Sequence, residues 1–340
     1  MPAKSSLSLA LIVALLAGCS PPPQASSLGE KGVAGPQVLV VCPTQTMAPD
    51  CAFSGGSGIQ AAVDVASDGD IVQIRAGTYS PKAVRDVPYK IHTIRGFVVV
   101  DGKQISLVGE PGAVLDGSMG PRTTGLVLHR SSVEVSGLKF TGFKFEVEED
   151  EIYEGHGIFA IDSRVRLRDV TIEKYQKMAL TGRGSTDLDV EDVRILDGHV
   201  AIWLDEYAHL RLRNSLIRGN DSAGIAAYTN STAHVSNCVF DGNLDDALYG
   251  EQEATIHATN SIFLNNKPYV ARATGNSKIW IGYSGLFGNE NGLLAKDAAV
   301  ARQGANVIEG DLMLDAAYRV SEDSPLFSKG DPAFGIPGLR

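Results

Sequence analysis

The sequence Val235-Ser-Asn-Cys-Val-Phe240 returns 23 residues later as Ala258-Thr-Asn-Ser-Ile-Phe263, and this repeat decides the fold. The motif, an Asn or Asp followed by a short and mostly apolar run, recurs at intervals of 23 residues with one interval of 22. Its anchor residues are Asp169, Asp192, Asn214, Asn237 and Asn260. Such a period is typical of a solenoid, whose units bury their apolar faces only against one another. The repeat therefore predicts one long repetitive domain.

The residues around each anchor alternate between apolar and polar. Two positions before the anchor lie Val135, Leu167, Val190, Leu212, Val235 and Ala258. A third apolar position, in another part of the unit, is filled by Ile158, Leu180, Ile202, Ile225 and Leu248. Alternation with a period of two is typical of strands with one buried face. Three such strands per unit predict an all-β solenoid, a parallel β-helix, with like residues stacked ~4.8 Å apart in successive coils.

Both ends of the solenoid need a cover over the core. Residues 59–66 have the pattern of a short amphipathic helix ahead of a first strand over residues 71–79. We therefore predict an N-terminal cap at about 55–70 and a closing segment at about 305–340, within a β-helix domain of residues 38–340.

One outward column of the predicted coils is apolar. It contains Leu216, Val239 and Ile262, which we call the apolar stripe. Exposed apolar residues in a stack favour a covered face. The C-terminal residues around Leu326 and Phe327 are the expected cover, and a partner protein is the alternative.

Motifs at both ends of the domain carry a family resemblance. They are Gly58-Ile-Gln-Ala-Ala-Val-Asp64, Arg75-Ala-Gly-Thr-Tyr79, Asp323-Ser-Pro-Leu326 and Gly330-Asp-Pro332. Over most of residues 55–332 the chain resembles bacterial right-handed parallel β-helix proteins of the pectin-lyase-like type. The resemblance implies a right-handed, single-stranded β-helix. It implies no particular activity, because the superfamily includes lyases, hydrolases, epimerases, adhesins and proteins without catalysis.

The N-terminus predicts export and lipid anchoring. Lys4 precedes an apolar stretch that is too short to span a bilayer. Leu16-Ala-Gly-Cys19 then resembles a bacterial lipobox, which implies a signal peptide over residues 1–18 and lipidation of Cys19. The serine that follows Cys19 resembles the signal for an outer-membrane destination, and residues 19–37 are expected to form a flexible spacer. We expect an outer-membrane lipoprotein, with ordinary secretion as the alternative.

Cysteines and charge add three expectations. In an exported chain, Cys42 and Cys51 are expected to form a disulfide worth roughly 2.5–3 kcal/mol. Cys238 occupies an apolar column and is expected to be a buried free thiol. The formal net charge of the 340 residues is −10 without a basic run, so nucleic acid is not an expected partner.

The candidate site lies on the face beside the third apolar position, where aromatic and charged residues alternate. The predicted substrate-binding residues are Phe159, Trp203, Tyr249 and Arg272. Such a ridge suits a sugar polymer, because pyranose faces stack on rings while hydroxyls bond to charged groups. The alternative is an ordinary surface with a few aromatic residues partly buried beneath turns.

Catalytic candidates on the same face are His156, Arg183, Asp205, Tyr228, Asp246 and Glu251. Asp205 and Glu251 lie two coils apart, roughly 9–10 Å, at the upper limit for an inverting glycosidase. His156, Arg183 and Tyr228 are predicted to lie close enough to serve as base, charge neutraliser or proton donor in an elimination. Cross-coil pairing explains each carboxylate almost as well, so both interpretations stay open.

An acidic insertion over residues 146–154 interrupts the regular period. Its six acids are the type of ligand that Ca²⁺ takes. The insertion has no recognised calcium-loop spacing, which favours a solvated acidic loop over a site. No metal or other cofactor is therefore predicted.

Three functional hypotheses follow from these patterns. The first is an outer-membrane-anchored lipoprotein that binds, and as a further step processes, an extracellular or envelope polysaccharide. The second is a non-catalytic surface adhesin or scaffold, which requires the apolar stripe to be open for a partner. The third is a calcium-dependent uronate lyase.

Overall fold

A computed structural model of the chain describes residues 35–44, 48–146, 152–293, 300–302 and 306–340. The signal peptide, Cys19 and most of the predicted spacer lie outside the described residues, as does the centre of the acidic insertion. Within the described ranges, helices are too short or too polar to cross a membrane.

The N-terminal third contains a helix and nine strands. These are β1 (Val38–Cys42), β2 (Phe53–Ser54), α1 (Gly55–Val65), β3 (Ile71–Ile74), β4 (Gly77–Tyr79), β5 (Arg85–Tyr89), β6 (His92–Asp101), β7 (Gln104–Asp116), β8 (Thr124–His129) and β9 (Ser132–Thr141).

The regular coils follow. Their strands are β10 (Ile152–Tyr153), β11 (Ile158–Ile161), β12 (Arg164–Arg168), β13 (Thr171–Glu173), β14 (Met178–Arg183), β15 (Asp187–Glu191), β16 (Arg194–Leu196), β17 (Val200–Leu204), β18 (His209–Arg213), β19 (Leu216–Arg218), β20 (Ile225–Ala227), β21 (Thr232–Ser236), β22 (Val239–Asp241), β23 (Leu248–Gly250), β24 (Thr255–Thr259), β25 (Ile262–Leu264), β26 (Ala271–Ala273), β27 (Lys278–Gly282), β28 (Ser284–Phe287), β29 (Val300–Arg302) and β30 (Val307–Glu309).

The strands form two sheets that wind around one core. Each regular coil gives one strand to a sheet of ten strands, the short sheet, and two strands to a sheet of twenty, the long sheet. Successive coils pair in parallel and in register, so that Leu167 lies beside Val190, and Val190 beside Leu212. This confirms the predicted parallel β-helix, and it places residues one repeat apart side by side.

The repeated anchors form the corner between the two long-sheet strands of each coil. All five have a positive φ, namely Asp169 (50°), Asp192 (56°), Asn214 (45°), Asn237 (53°) and Asn260 (53°), and Tyr283 (49°) takes the same position in the next coil. Asn and Asp tolerate this left-handed geometry at the lowest cost among residues with a side chain. The anchors therefore set the phase of every coil.

A second corner carries a buried amide ladder that the sequence analysis did not predict. Asn220 donates to Asn243 (2.8 Å), Asn243 to Asn266 (2.9 Å), and Asn266 to Asn289 (3.0 Å). Each amide satisfies its neighbour, which avoids the cost of burying unpaired polar groups. The ladder holds the coils beneath the candidate site in register.

The N-terminal cap differs in detail from the prediction. Helix α1 begins four residues earlier than expected and packs Ile59, Ala62 and Val63 on the end of the core. Strands β1 and β2 precede it and pair beside β3, so the expectation that the helix comes before the first strand is wrong. The predicted strand at residues 71–79 is broken into β3 and β4. Cys42 and Cys51 form a disulfide beside this cap.

The C-terminal segment covers the apolar stripe, as predicted. Leu312 and Leu326 pack with the three stripe residues, all of which are at most 2% exposed. Phe327, also predicted to cover the stripe, is instead 38% exposed. The side chains of Asn237 and Asn260 bind the backbone of the tail at Gly338 and Gly335. The corner residues therefore fasten the segment as well as shaping the coils.

Cys238 is a buried free thiol, as its column predicts. Burial raises the pKa of its thiol to about 12. The thiol therefore keeps its proton and behaves as a small apolar side chain.

Candidate functional site

The predicted ridge exists on the outer face of the short sheet. Phe159, Thr181, Trp203, Ala226, Tyr249 and Arg272 stand in register on successive strands. Their neighbours on each strand point into the core, so these six residues share one outward column. The column is about five coil spacings long, ~24 Å.

Phe159 is buried and does not form part of the open ridge, contrary to the prediction. It is 1% exposed because an outside cluster of side chains covers it. The ring of Tyr153 stacks on it at 5.6 Å, and Tyr89 meets it edge-on at 6.3 Å. Tyr89 belongs to the hairpin β5–β6, which folds over this end of the face.

The open part of the ridge is an aromatic cluster. Tyr228 stacks on Trp203 with ring centroids 4.3 Å apart, and Tyr249 follows at 5.7 Å. Tyr228 was predicted to be a proton donor. Burial, followed by the charges of Tyr249 and Glu251, raises the pKa of its hydroxyl, so the phenol retains its proton more firmly than usual. Its position favours a contact surface over proton transfer.

A cavity of about 770 Å³ adjoins Trp203 on the side of the hairpin. Aromatic, cationic and polar side chains line it together with two acids, Asp197 and Asp221. They include Phe145, Tyr153, His156, Lys177, Met178, Thr181, Arg183, His199 and Trp203. Lys177 lies over the ring of Phe145 at 4.6 Å. The volume falls within the range of ordinary ligand sites.

Three buried nitrogen atoms on the cavity wall have no hydrogen-bond partner among the described residues. They are His156 Nε2, Arg183 Nε and Trp203 Nε1. Buried polar atoms in proteins are almost always paired, so three exceptions at one cavity require an explanation. A ligand rich in oxygen atoms provides one.

His156 is held neutral in this wall. It is 2% exposed, and its Nδ1 lies 3.1 Å from Thr181 Oγ1. Burial lowers the pKa of the imidazole well below its ordinary value, and the charges of Lys177 and Arg183 lower it further. A neutral ring with one nitrogen unoccupied can accept or donate one hydrogen bond according to its tautomer.

Asp205 and Glu251 are both bound to neighbouring side chains. Asp205 pairs with Arg183 at 3.2 Å and accepts a hydrogen bond from Thr229 at 2.9 Å. Glu251 accepts a hydrogen bond from the Tyr249 hydroxyl at 2.7 Å. These contacts hold Arg183 at the cavity end of the open face and Tyr249 toward its other end.

The six catalytic candidates do not form one constellation. Four coil spacings, ~19 Å, separate His156 from Asp246, and three, ~14 Å, separate it from Tyr228. The prediction that His156, Arg183 and Tyr228 lie close enough to act together is therefore wrong, because His156 and Tyr228 are three coils apart. His156, Arg183 and Asp205 lie near the cavity, Tyr228 stacks on Trp203 beside it, and Asp246 and Glu251 lie at the far end.

Asp246 is a buried partner of Arg272. It is 0% exposed, and Arg272 Nε lies 2.6 Å from its Oδ2. Burial raises the pKa of this carboxyl to about 6, with Asp245 adding to the shift and Arg272 opposing it. The pair fixes the guanidinium of Arg272, which remains 35% exposed on the ridge.

The sequence analysis missed Tyr153 and Lys177, which line the cavity, and Tyr89 of the hairpin, which packs on Phe159. A signal for the hairpin was present in Phe97-Val-Val-Val100, a run with no polar position. Strands buried on both faces have such continuous apolar runs. Here Val98 and Val100 point into the core while Val99 packs under the hairpin.

The calcium hypothesis finds no support in the described residues. Within them, His, Cys, Asp and Glu side chains form no group of three or more that would hold a metal ion. Residues 147–151 of the acidic insertion lie outside this statement.

Comparisons with known proteins agree with the fold. A family model described as right handed beta helix region matches residues 124–284, and the chain is a right-handed parallel β-helix. No curated protein matches the chain.

Solved structures similar to the chain have low sequence identity to it. An alginate lyase from Paenibacillus sp. str. FPU-7 is 14% identical, with a TM-score of 0.44 over 81% of this chain and 98% of its own. The A-module of a mannuronan C-5 epimerase from Azotobacter vinelandii is 15% identical, with a TM-score of 0.47 over 76% of each chain.

Proposed function

We propose that the chain binds a polysaccharide along the open part of the short-sheet face, with one sugar residue in the adjoining cavity. The observation that carries the proposal is a cavity lined by His156, Arg183 and Trp203, each of which has a buried nitrogen atom without a hydrogen-bond partner among the described residues. Sugar hydroxyl and carboxylate oxygens are suitable partners for all three.

The rest of the face supports the same ligand class. Trp203, Tyr228 and Tyr249 offer partly exposed rings for pyranose faces. Glu251 and Arg272, on neighbouring coils at the C-terminal end of the face, supply charged groups for hydroxyls. Three cations, Lys174, Lys177 and Arg183, outnumber the two acids, Asp197 and Asp221, among the residues that line the cavity, which favours an acidic sugar there.

The adhesin hypothesis loses its main surface. It required the apolar stripe to be open, and the C-terminal segment buries all three stripe residues. The open part of the ridge and the adjoining cavity therefore remain the better supported contact surface.

A glycan array tests the proposal most directly. The chain is applied to acidic and neutral bacterial polysaccharides, and binding to at least one is expected. Absence of binding to every glycan would contradict the proposal.

Processing is tested on any glycan that binds. Absorbance from unsaturated products, with and without a chelator, distinguishes a lyase and its metal dependence from binding alone.

Removing the aromatic cluster is expected to weaken this binding. Trp203→Ala and Tyr249→Ala each lose a stacking ring, for which we expect about a tenfold loss of affinity, or ~1.4 kcal/mol. The saccharide-dependent rise in Tm should shrink accordingly.

Trp280→Ala is the matched control for the aromatic variants. Trp280 lies in the long sheet, where it stacks on His257 at 4.3 Å, and not on the short-sheet face that carries the ridge. Its loss should leave the saccharide-dependent shift unchanged. An equal effect of all three substitutions would show that the cluster is not the binding surface.

We further propose that Cys19 is lipidated and anchors the domain to the outer membrane. The lipobox-like Leu16-Ala-Gly-Cys19 and the serine after it support this location. Cys19→Ala is expected to abolish incorporation of labelled fatty acid and to move the chain out of the outer-membrane fraction. Unchanged fractionation of the variant would contradict lipid anchoring.

A further inference from the structure

The binding face is closed at its N-terminal end. Val99, Val127 and Phe159 occupy the outward column in three consecutive coils, where solvent-facing side chains are expected. They are nevertheless 8%, 0% and 1% exposed. Val87 and Tyr89 of the hairpin β5–β6 pack over them in a separate cluster outside the core.

The tip of the hairpin is fastened to a distant coil. The Tyr89 hydroxyl donates to Glu206 Oε1 at 2.8 Å, and Lys90 forms an ion pair with the same carboxylate. Glu206 follows β17, the strand that carries Trp203. The hairpin therefore spans the side of the face as far as the coil of Trp203, and Tyr89 lies 6.0 Å from the guanidinium carbon of Arg183.

A second layer closes the floor beside the hairpin. Tyr153 on β10 stacks on Phe159 and also lies 4.6 Å from the ring of His92. Strand β10 pairs with β6 at Thr93 and Ile94, so the part of β6 next to the hairpin tip holds Tyr153 in place. The cavity lies directly against this wall, because Tyr153 and Phe159 both line it.

The other direction along the column is different. Trp203, Tyr249 and Arg272 each retain exposed surface. A sugar chain that follows these residues toward the cavity meets the wall of Tyr153 and Tyr89 after passing Trp203. A continuing chain would need the volume that these two rings occupy.

We infer that the site binds the end of an acidic polysaccharide, with the terminal sugar in the cavity beside His156 and Arg183, and does not bind internal segments. The inference rests on the proposed function and adds a direction and a terminus to it.

Binding stoichiometry against chain length tests the inference. The purified full chain in detergent is titrated calorimetrically with size-fractionated sodium alginate and sodium polygalacturonate, chosen because Lys177 and Arg183 line the cavity. End binding gives one protein per polymer chain at every length. A number that rises in proportion to length would overturn the inference while leaving the proposed function intact.

End modification provides an independent measurement. Oligomers of the same polymers carry either a bulky aromatic tag at the reducing end or a modified non-reducing end. One modification should weaken binding at least tenfold and the other less than twofold. Equal tolerance of both would refute end binding. Failure of both polymers to bind at any length would refute an acidic chain end, and the glycan array then decides the proposed function separately.

Discussion

Replacing Leu326 by alanine is expected to lower the free energy of unfolding by about 2–5 kcal/mol, the range for a fully buried leucine. Leu326 is 0% exposed although it lies outside the solenoid, packed with Leu312 on the apolar stripe. Its packing is tight, since a Cβ added at Gly285 would lie 2.5 Å from Leu326 Cδ1. Removing its side chain therefore leaves a cavity that the strand backbone cannot close easily.

The neighbouring residue supplies the control. Phe327 is larger and equally apolar but 38% exposed, so Phe327→Ala should lower the free energy of unfolding by only about 1–2 kcal/mol, less than Leu326→Ala does. Urea denaturation of both variants and the parent chain gives the comparison, with m-values checked for a common transition. Similar losses for the two variants would show that the C-terminal segment does not form the packed cover described above.

The regular coils were predictable because their information is local. Asn214, Asn237 and Asn260 each mark a left-handed corner. The alternation of apolar and polar residues around each corner assigns every side chain to the inside or the outside. Parallel pairing then aligns residues 23 positions apart. Phe159, Trp203 and Tyr249 could therefore be placed in one column from the sequence.

Which residues of that column are accessible was not predictable in the same way. Phe159 and Trp203 have equivalent positions in their coils, but only Phe159 lies beneath the hairpin β5–β6. Tyr89 is 70 positions before Phe159 and 117 before Glu206, its hydrogen-bond partner. No repeat connects these segments, so their contact depends on tertiary packing alone.

Acidification is expected to affect two buried groups of the site in opposite directions. Burial, with Lys177 and Arg183, holds the pKa of His156 well below its ordinary value of 6.5. Below that pH the unfolded chain binds a proton that the folded chain excludes. His156 therefore contributes stability above about pH 6.5 that is lost as pH falls, with a slope of up to ~1.4 kcal/mol per pH unit.

Asp246 has the opposite effect on how stability changes with pH. Burial raises the pKa of its carboxyl from the ordinary 3.8 to about 6 in the folded chain. Between these two values the folded state binds a proton that the unfolded state does not. Stability from Asp246 therefore increases as pH falls through about 6, and it is lost as pH rises, again with a slope of up to ~1.4 kcal/mol per pH unit. The two effects partly cancel in the parent chain.

Two conservative substitutions separate the effects. His156→Gln removes the loss on acidification, so its unfolding free energy should fall less between about pH 7 and pH 5 than that of the parent. Asp246→Asn removes the gain, so its unfolding free energy should fall more, and the two variants should diverge by up to ~2.7 kcal/mol per pH unit. Glu322→Gln, which changes an exposed carboxylate of the C-terminal segment, is the control. Urea denaturation at a series of pH values measures each slope. If both variants have the same slopes as the parent, neither group is buried in the protonation state assigned to it. His156 would then not be a neutral residue of the cavity lining.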